Sequence, residues 1–414
     1  MSAALALAGA PPLGAWPLAA LVSGPALLLL WVASINLRRV RPVSPLPEVV
    51  PGPPTGQGAG PAGVSALVPA RDEEEAIGPC IEALLAEPVG EVLVFDDESR
   101  DRTSAIVLAL AARDPRVRLL RAPGPLPAGQ AGKSRGCAAL AEAARGEVLL
   151  FVDADVRVER GAIAGLLAAR AAAGAEVVTA LPRQLLGSFA ERLVVPLLHL
   201  VYWALAPLWL IPRVRDPRVT AANGQLLLVT KAGYRKFGGH AHPAVRGAVV
   251  EDQAFCRAAK SAGLRLLFAD AQRLARCRMY RSAAEVRQGF VKNLYLGVGG
   301  TPLRLAAVVV VLGWGLLLPF LALPLAPAAA VPGVAALLLL RFLLARRFGQ
   351  PLWATALLHP LSIAALFAIA LESAVRAHRG QLAWRGRLYG LREGGAMETA
   401  QDAPAAPRLP EGAP

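Results

Sequence analysis

Charge is scarce in this 414-residue chain. Asp, Glu, Lys and Arg make up 18% of it, against 55% hydrophobic residues. A soluble enzyme carries about a quarter charged residues, so the balance argues against one, and the apolar content excludes a disordered chain. Lysine is rarer still, five of 44 basic residues. The arginine bias, with abundant Ala, Gly and Pro, reflects a GC-rich genome more than a function. Cysteine is limited to Cys80, Cys137, Cys256 and Cys277, with no C-x-x-C pair. That pattern excludes a disulfide framework and a zinc cage, and suits a reducing compartment. No G-x-G-x-x-G follows the first apolar run, which speaks against a dinucleotide oxidoreductase.

What is present is apolar sequence at both ends. Residues 16–36 run about 20 residues without a charge, enough to span a bilayer. No basic stretch precedes them, as a cleaved signal would require, and Arg38, Arg39 and Arg41 follow. The positive-inside rule then places the next domain on the cytoplasmic face of the cell membrane. Near the other end, Leu305–Leu323 reads as one span, and Ala328–Leu344 and Leu352–Leu371 as two more. Three such spans would put the basic tail (Arg376, Arg379, Arg385, Arg387, Arg392) outside, against the same rule. The middle segment, interrupted by Pro324, Pro327 and Pro332, is the doubtful crossing. The net charge of +14 is therefore read as membrane-facing, with no nucleic-acid partner.

The chain divides into an anchor (1–37), a Pro/Gly-rich linker that need not pack (38–63), a globular domain (64–300), C-terminal membrane helices (301–375) and a basic, then disordered tail (376–414). Within the globular part, residues 189–211 form an apolar stretch. It reads either as an interfacial segment, with Tyr202, Trp203 and Trp209 at headgroup depth, or as a buried core helix.

The domain alternates short apolar runs with helical spacings. Strands are expected at Val64–Pro69, Glu91–Phe95, Val117–Leu120 and Glu147–Val152. Helices are expected at Glu73–Leu85, Asp101–Ala112 and Lys133–Ala144. This is the signature of βαβ units, an α/β domain with a mainly parallel sheet whose ligands sit at the strands' carboxyl ends. Acidic clusters follow three strands: Asp72-Glu73-Glu74-Glu75, Asp96-Asp97-Glu98 and Asp153-Ala154-Asp155. One D-x-D alone is a solvated turn. Three clusters on one edge repel unless neutralised, and hard oxygen ligands of this kind suit Mg²⁺ or Mn²⁺ with phosphate oxygens. Gly129-Gln130-Ala131-Gly132-Lys133-Ser134 ends like a P-loop, but Pro127 stands where its first glycine belongs. What survives is a lysine at a helix N-terminus, able to hold a phosphate.

Taken together, VSALVPARDEEEAI, VLVFDDESRDRT, GKSRGCAALAEAARGEVLLFVDADVRV and VVEDQAFCRAAKSAGLRL resemble glycosyltransferase family 2, over about Val64–Tyr295. GGHAHPAVRGAVVED and RMYRSAAEVRQGFVKNLY are most similar to its membrane-anchored, lipid-directed branch, which includes carotenoid and hopanoid-associated enzymes. The resemblance implies a Rossmann-like GT-A fold and an inverting transfer from a UDP-sugar to a lipid acceptor. It implies a nucleotide pocket of Pro69, Arg71, Glu73, Asp96, Asp97, Lys133 and Asp153. It further implies a metal on Asp155 with Asp153, and a catalytic Glu251-Asp252 pair with Asp252 as base. The Q-x-x-R-W of processive members is missing here, which points to single-sugar transfer. Other readings of the same acidic edge are a nucleotidyl- or phosphotransferase acting on a lipid, and a non-catalytic membrane scaffold.

Overall fold

The computed structural model describes residues 15–46, 63–384, 387–391 and 397–402. The chain forms two compact units: residues 40–185, 208–301 and 369–414 in one, and residues 1–39, 186–207 and 302–368 in the other.

The first unit is built on an eight-stranded sheet with order β3-β2-β1-β4-β7-β6-β8-β5. The strands are β1 Val64–Ala70, β2 Glu91–Asp96, β3 Val117–Arg121, β4 Val148–Val152, β5 Val156–Val158, β6 Val177–Gln184, β7 Leu226–Thr230 and β8 Leu266–Cys277. The first four are the strands expected from the sequence, and they pair in parallel. Every residue of β2 and β4 is buried, which is why these strands read as unbroken apolar runs. The second half of the sheet departs from the parallel expectation. β7 is antiparallel to both β4 and β6, and β5 is antiparallel to β8, while β6 and β8 are parallel. Strand order reverses between the parallel neighbours β1 and β4, the switch point at which such sheets open a ligand crevice.

Two helices start later than the sequence suggests. The helix expected from Glu73 begins at Ile77. Glu73 N–H donates to Thr103 Oγ1 (2.8 Å) and Glu74 N–H to Asp101 Oδ2 (3.0 Å), so the intervening residues tie two loops together. Asp101 likewise caps its helix from outside, accepting from Thr103 N–H at 2.9 Å. The linker also packs more than expected. Val43 N–H donates to Asp270 O (2.9 Å) and Leu46 N–H to Gly161 O (3.2 Å). Residues 47–62 of the linker and 403–414 of the tail lie outside the described residues. Met397–Asp402, read as the start of a disordered tail, is a strand of a small antiparallel sheet.

The second unit is helical. Ala15–Arg39 is one helix. Leu305–Leu323 is not: the chain runs as Pro302–Leu316 and then Leu318–Ala322, broken at Leu317. Pro319 lacks the N–H that would bond Gly315 O, and its ring crowds that carbonyl. The doubtful middle span is, conversely, a continuous 22-residue helix, Pro327–Phe348. Pro327 opens it, where a missing N–H costs nothing. Pro332 is accommodated by the first helix: Ser23 Oγ donates to Ala329 O (2.6 Å) and accepts from Gly333 N–H (2.8 Å). That hydroxyl bridges the donor and acceptor of one helical rung next to the proline. A side chain at residue 333 would strike Ser23 Oγ at 2.8 Å, hence Gly333. Ser23→Ala strands one buried N–H and one buried C=O. It is expected to cost roughly 1–3 kcal/mol, read as a lower melting temperature of the detergent-solubilised protein with unchanged secondary structure.

Residues 189–211 are neither a single interfacial helix nor a single core helix. They are short helical pieces, including a π-turn at Val201–Leu205. Trp203, expected at headgroup depth, is fully buried against Phe348, ring centroids 4.6 Å apart. The carbonyls freed by the turn, Trp203 O and Ala206 O, accept from Asn36 Nδ2 at 2.8 and 2.7 Å.

These contacts fix the directions of the helices in this unit. Ser23 meets Ala329 and Gly333 near the start of Pro327–Phe348, while Asn36 and Phe348 share Trp203, so the two helices run parallel. Gly315 packs by Pro25 and Leu29, and Pro319 lies beside Gly333. Residues 302–322 therefore climb antiparallel to the first helix. His359–His378 begins at mid-depth, where His359 Nε2 lies 3.1 Å from Leu316 O, and descends past Gly313 through Phe367.

Candidate active site

The carboxyl ends of β1, β2 and β4 carry the acidic clusters to one edge of the sheet. After β1, Arg71 Nη1 donates to Asp97 O at 2.7 Å and lies 3.7 Å from Glu98 Oε2. Asp72 (φ 53°) and Glu98 (φ 60°) both adopt left-handed backbone, conformations that cost non-glycine residues energy and cluster where loops are functionally shaped. Pro69 pairs in register with Phe95 one residue before each strand's end.

After β2, Asp96 is turned into its own loop. It accepts from Ser99 N–H (2.9 Å) and from the Ser104 hydroxyl. Asp97 accepts from Arg135 Nη2 at 2.9 Å, both side chains being at least nine-tenths buried. Arg135 was missed in the sequence, although it stands two residues after Lys133 at the start of the same helix, Gly132–Ala143.

Lys133 is the hub. Its Nζ lies 2.7 Å from Asp153 Oδ1 and 2.9 Å from Glu251 Oε1. It thus joins the D-x-D after β4 to the E-D pair that opens the Glu251–Ser261 helix. That N-terminus has no side-chain cap, so the helix dipole favours both carboxylates there. Asp252 Oδ1 accepts only a local bond, from Gln253 N–H at 2.8 Å. Gly224 closes the floor: a Cβ there would lie 3.2 Å from Lys133 Nζ, 3.3 Å from Asp252 Cβ and 3.4 Å from Glu251 Oε1.

Electrostatics divide the carboxyls by role. Burial raises Asp252 to about 7, reinforced by the negative Glu251 beside it. Burial also raises Asp153, to about 6, against the pull of Lys133. For Glu251 burial is overcome, and Lys133 holds it below the usual carboxylate range. Lys133 itself is driven well above its ordinary value because Asp153 and Glu251 outweigh burial. One acid is thus kept ionised and paired, and its neighbour is poised near neutrality, the separation that assigns acid–base roles.

Asp155 lies one residue beyond Asp153 and Ala154 in the turn between β4 and β5. Among the described residues no three His, Cys, Asp or Glu side chains converge as a metal cage. Two adjacent carboxylates nonetheless fit a Mg²⁺-type ion, which takes one or two carboxylates and completes its shell with water and substrate phosphates. The structure therefore brings Lys133, Asp153, Glu251 and Asp252 together, with Asp155 adjacent in the chain. Arg71, Asp97 and Arg135 form a neighbouring network. His240 is buried between Phe151 and Phe255, and His242 Nδ1 accepts from Ala244 N–H (3.1 Å).

Residues 65–192 match the family model of Glycosyl transferase family 2. The chain is 25% identical, over 338 residues, to 4,4'-diaponeurosporenoate glycosyltransferase of Staphylococcus aureus (strain MRSA252). That alignment covers 78% of this chain and 88% of the relative. Among solved structures, the mannosyltransferase PcManGT from Pyrobaculum calidifontis, in complex with GDP-Man and Mn²⁺, aligns over 87% of this chain and 97% of its own. The TM-score is 0.51 at 17% identity, a likeness of fold. The α/β GT-A domain expected from the resemblance is borne out.

Proposed function

We propose that this chain, whose residues 65–192 match the Glycosyl transferase family 2 model, moves one sugar from a UDP-hexose to a membrane lipid, a carotenoid or another polyprenoid. The observation that carries the reading is the Lys133 hub, which brings the D-x-D and the E-D pair within one salt-bridged cluster at the sheet's switch point. The nucleotide lies along β1 and β2, over Pro69, Arg71, Glu73, Asp96 and Asp97, with Lys133 and Asp153 on its diphosphate. A divalent ion held by Asp155 and Asp153 would neutralise charge gathering on the leaving diphosphate. Lys133 adds a fixed positive charge on the same side. Asp252 takes the proton of the attacking acceptor hydroxyl, and Glu251 stays ionised and holds Lys133 in place.

The lipid acceptor is supported by the helical unit and by what the Staphylococcus aureus relative is named for. Three helices, Trp16–Arg39, Pro327–Phe348 and His359–His378, are long and apolar enough to cross a bilayer. The helix directions support a reading without the parity conflict. Residues 15–39 descend, 302–322 rise, 327–348 descend, and the last helix descends again from mid-depth after a half-deep re-entrant turn. Arg38, Arg39, Arg304, Arg346 and Arg347 then share one end, which the positive-inside rule assigns to the cytoplasm.

The test is the purified full chain in lipid vesicles with Mn²⁺, UDP-glucose labelled in the sugar, and a polyprenoid extract. Label is expected in the organic phase. In a parallel reaction with UDP-glucose labelled in the β-phosphate, phosphate label in the organic phase would support a phosphotransferase, and no turnover of any UDP- or GDP-hexose would support a scaffold. Asp155→Ala should abolish Mn²⁺-dependent UDP binding by calorimetry; unchanged binding would remove the metal from Asp155. For topology, Leu325→Cys should react with a membrane-impermeant maleimide in intact cells and Arg379→Cys only after lysis. The reverse pattern would invert the orientation.

A further inference from the structure

The helical unit buries a cation without an anion. Arg341, on the Pro327–Phe348 helix, is fully buried, and its Nε donates to Thr355 O at 2.7 Å. Its Nη1 and Nη2 have no hydrogen-bond partner. Within residues 15–39, 186–207 and 302–368 the sequence holds one acid, Glu191. That residue closes a capping box with Ser188, its carboxylate accepting from Gly187 N–H (2.9 Å) and Ser188 N–H (2.8 Å). A guanidinium held among apolar helices with no counter-charge is among the costliest arrangements a membrane protein can adopt, and such residues mark ligand sites.

The surroundings extend the site. Gln350 Nε2 lies 3.0 Å from His199 Nδ1, leaving Gln350 Oε1 buried with no partner. His359 uses Nε2 on Leu316 O, and its Nδ1 is likewise buried and unmatched. Thr355 belongs to a π-turn, Trp353–Leu357, a backbone irregularity that recurs at functional sites. The outer side of that turn is open and apolar: Leu352, Trp353 and Leu357 are exposed. One flank of the cluster is therefore polar and unmatched, and the other faces the place where lipid tails would lie.

We propose that Arg341 binds the oxyanion of a bilayer lipid, a phosphate or a carboxylate, which reaches it beside the Trp353–Leu357 turn with its tail along Leu352 and Leu357. A fork of unpaired N–H groups matches two oxygens of either group. The inference rests on the membrane reading of this unit and not on the sugar chemistry, so its test needs no turnover.

Delipidated full-length protein in neutral detergent is titrated with phosphatidylglycerol, with oleate, with phosphatidylcholine and with inorganic phosphate, and followed by thermal unfolding. Phosphatidylglycerol, oleate or both should raise the melting temperature by about 5 °C at saturation, and Arg341→Met should abolish that rise. Response to phosphatidylglycerol alone identifies a phosphate ligand, and to oleate alone a carboxylate. The lipid-free Met variant should melt no lower than lipid-free wild type, because it removes an uncompensated charge. Arg341→Lys should retain part of the shift. Equal responses in wild type and Arg341→Met would overturn the proposal. So would a shift by inorganic phosphate as large as by the lipids, or a Met variant that melts well below lipid-free wild type.

Discussion

Asp252→Asn is expected to lower sugar transfer to a hydroxyl acceptor by about 10²–10⁴-fold, the usual contribution of a positioned base, while UDP binding stays within a few-fold. The substitution keeps the size and the local bond to Gln253 N–H but cannot accept a proton. The same residue sets a pH signature. Its carboxyl, raised by burial and by Glu251 to about 7, must be ionised to act. Transfer should therefore climb as pH rises through about 7, and the limb should vanish in the variant. The linkage to stability has the opposite sign. A raised carboxyl binds its proton more tightly in the folded than in the unfolded chain. Its contribution is complete below the ordinary value of 3.8 and is lost as pH rises through about 7. At neutral pH the Asn variant should thus be at least as stable as wild type. Undiminished transfer by a stable Asn variant would remove Asp252 from the base role, and an acceptor carboxylate, already ionised, would need no base.

Lys133→Ala should be the second most damaging change, costing about 10²–10³-fold in kcat by the scale of lost transition-state charge stabilisation. Lys133 joins Asp153 to Glu251, and removing it leaves two half-buried carboxylates facing each other with Asp252 beside them. Lys133 also pulls Asp252 downward, so the activity limb should move to higher pH in whatever transfer remains. A loss in KM alone, with kcat and pH profile unchanged, would reduce Lys133 to a binding contact. A lysine lost from a merely structural pair would move neither the pH limb nor kcat.

The strands that carry the site were legible because burial on both faces favours apolar runs: β1, β2 and β4 are such runs, and each meets an acid at its end or within the next two residues. The acids' roles were only half legible. Asp96 and Asp153 look alike in sequence, yet one is consumed by Ser99 and Ser104 and the other by Lys133, because loop return paths decide which donors arrive. β5 to β8 were not read. Their pairing joins residues far apart, as Val156 with Cys277, and no local period reports it. In the helical unit proline was the misleading signal. Pro319 breaks its helix and Pro332 does not, and the difference is a serine about 310 residues upstream.

That serine also imposes a timetable. On the proposed membrane reading Ser23 would enter the bilayer early in synthesis, yet the rung it completes belongs to Ala329, 306 residues later. At about 5–20 residues per second, the first helix waits roughly 15–60 s before its partner exists. In the interval its hydroxyl has only its own helix to bond, through a carbonyl one turn back. Until then the first helix has only residues 186–207 of its own unit as an earlier partner, through Asn36 and the carbonyls of Trp203 and Ala206. The Ser23 rung then closes only after translation of residue 333, making it a late step of biogenesis.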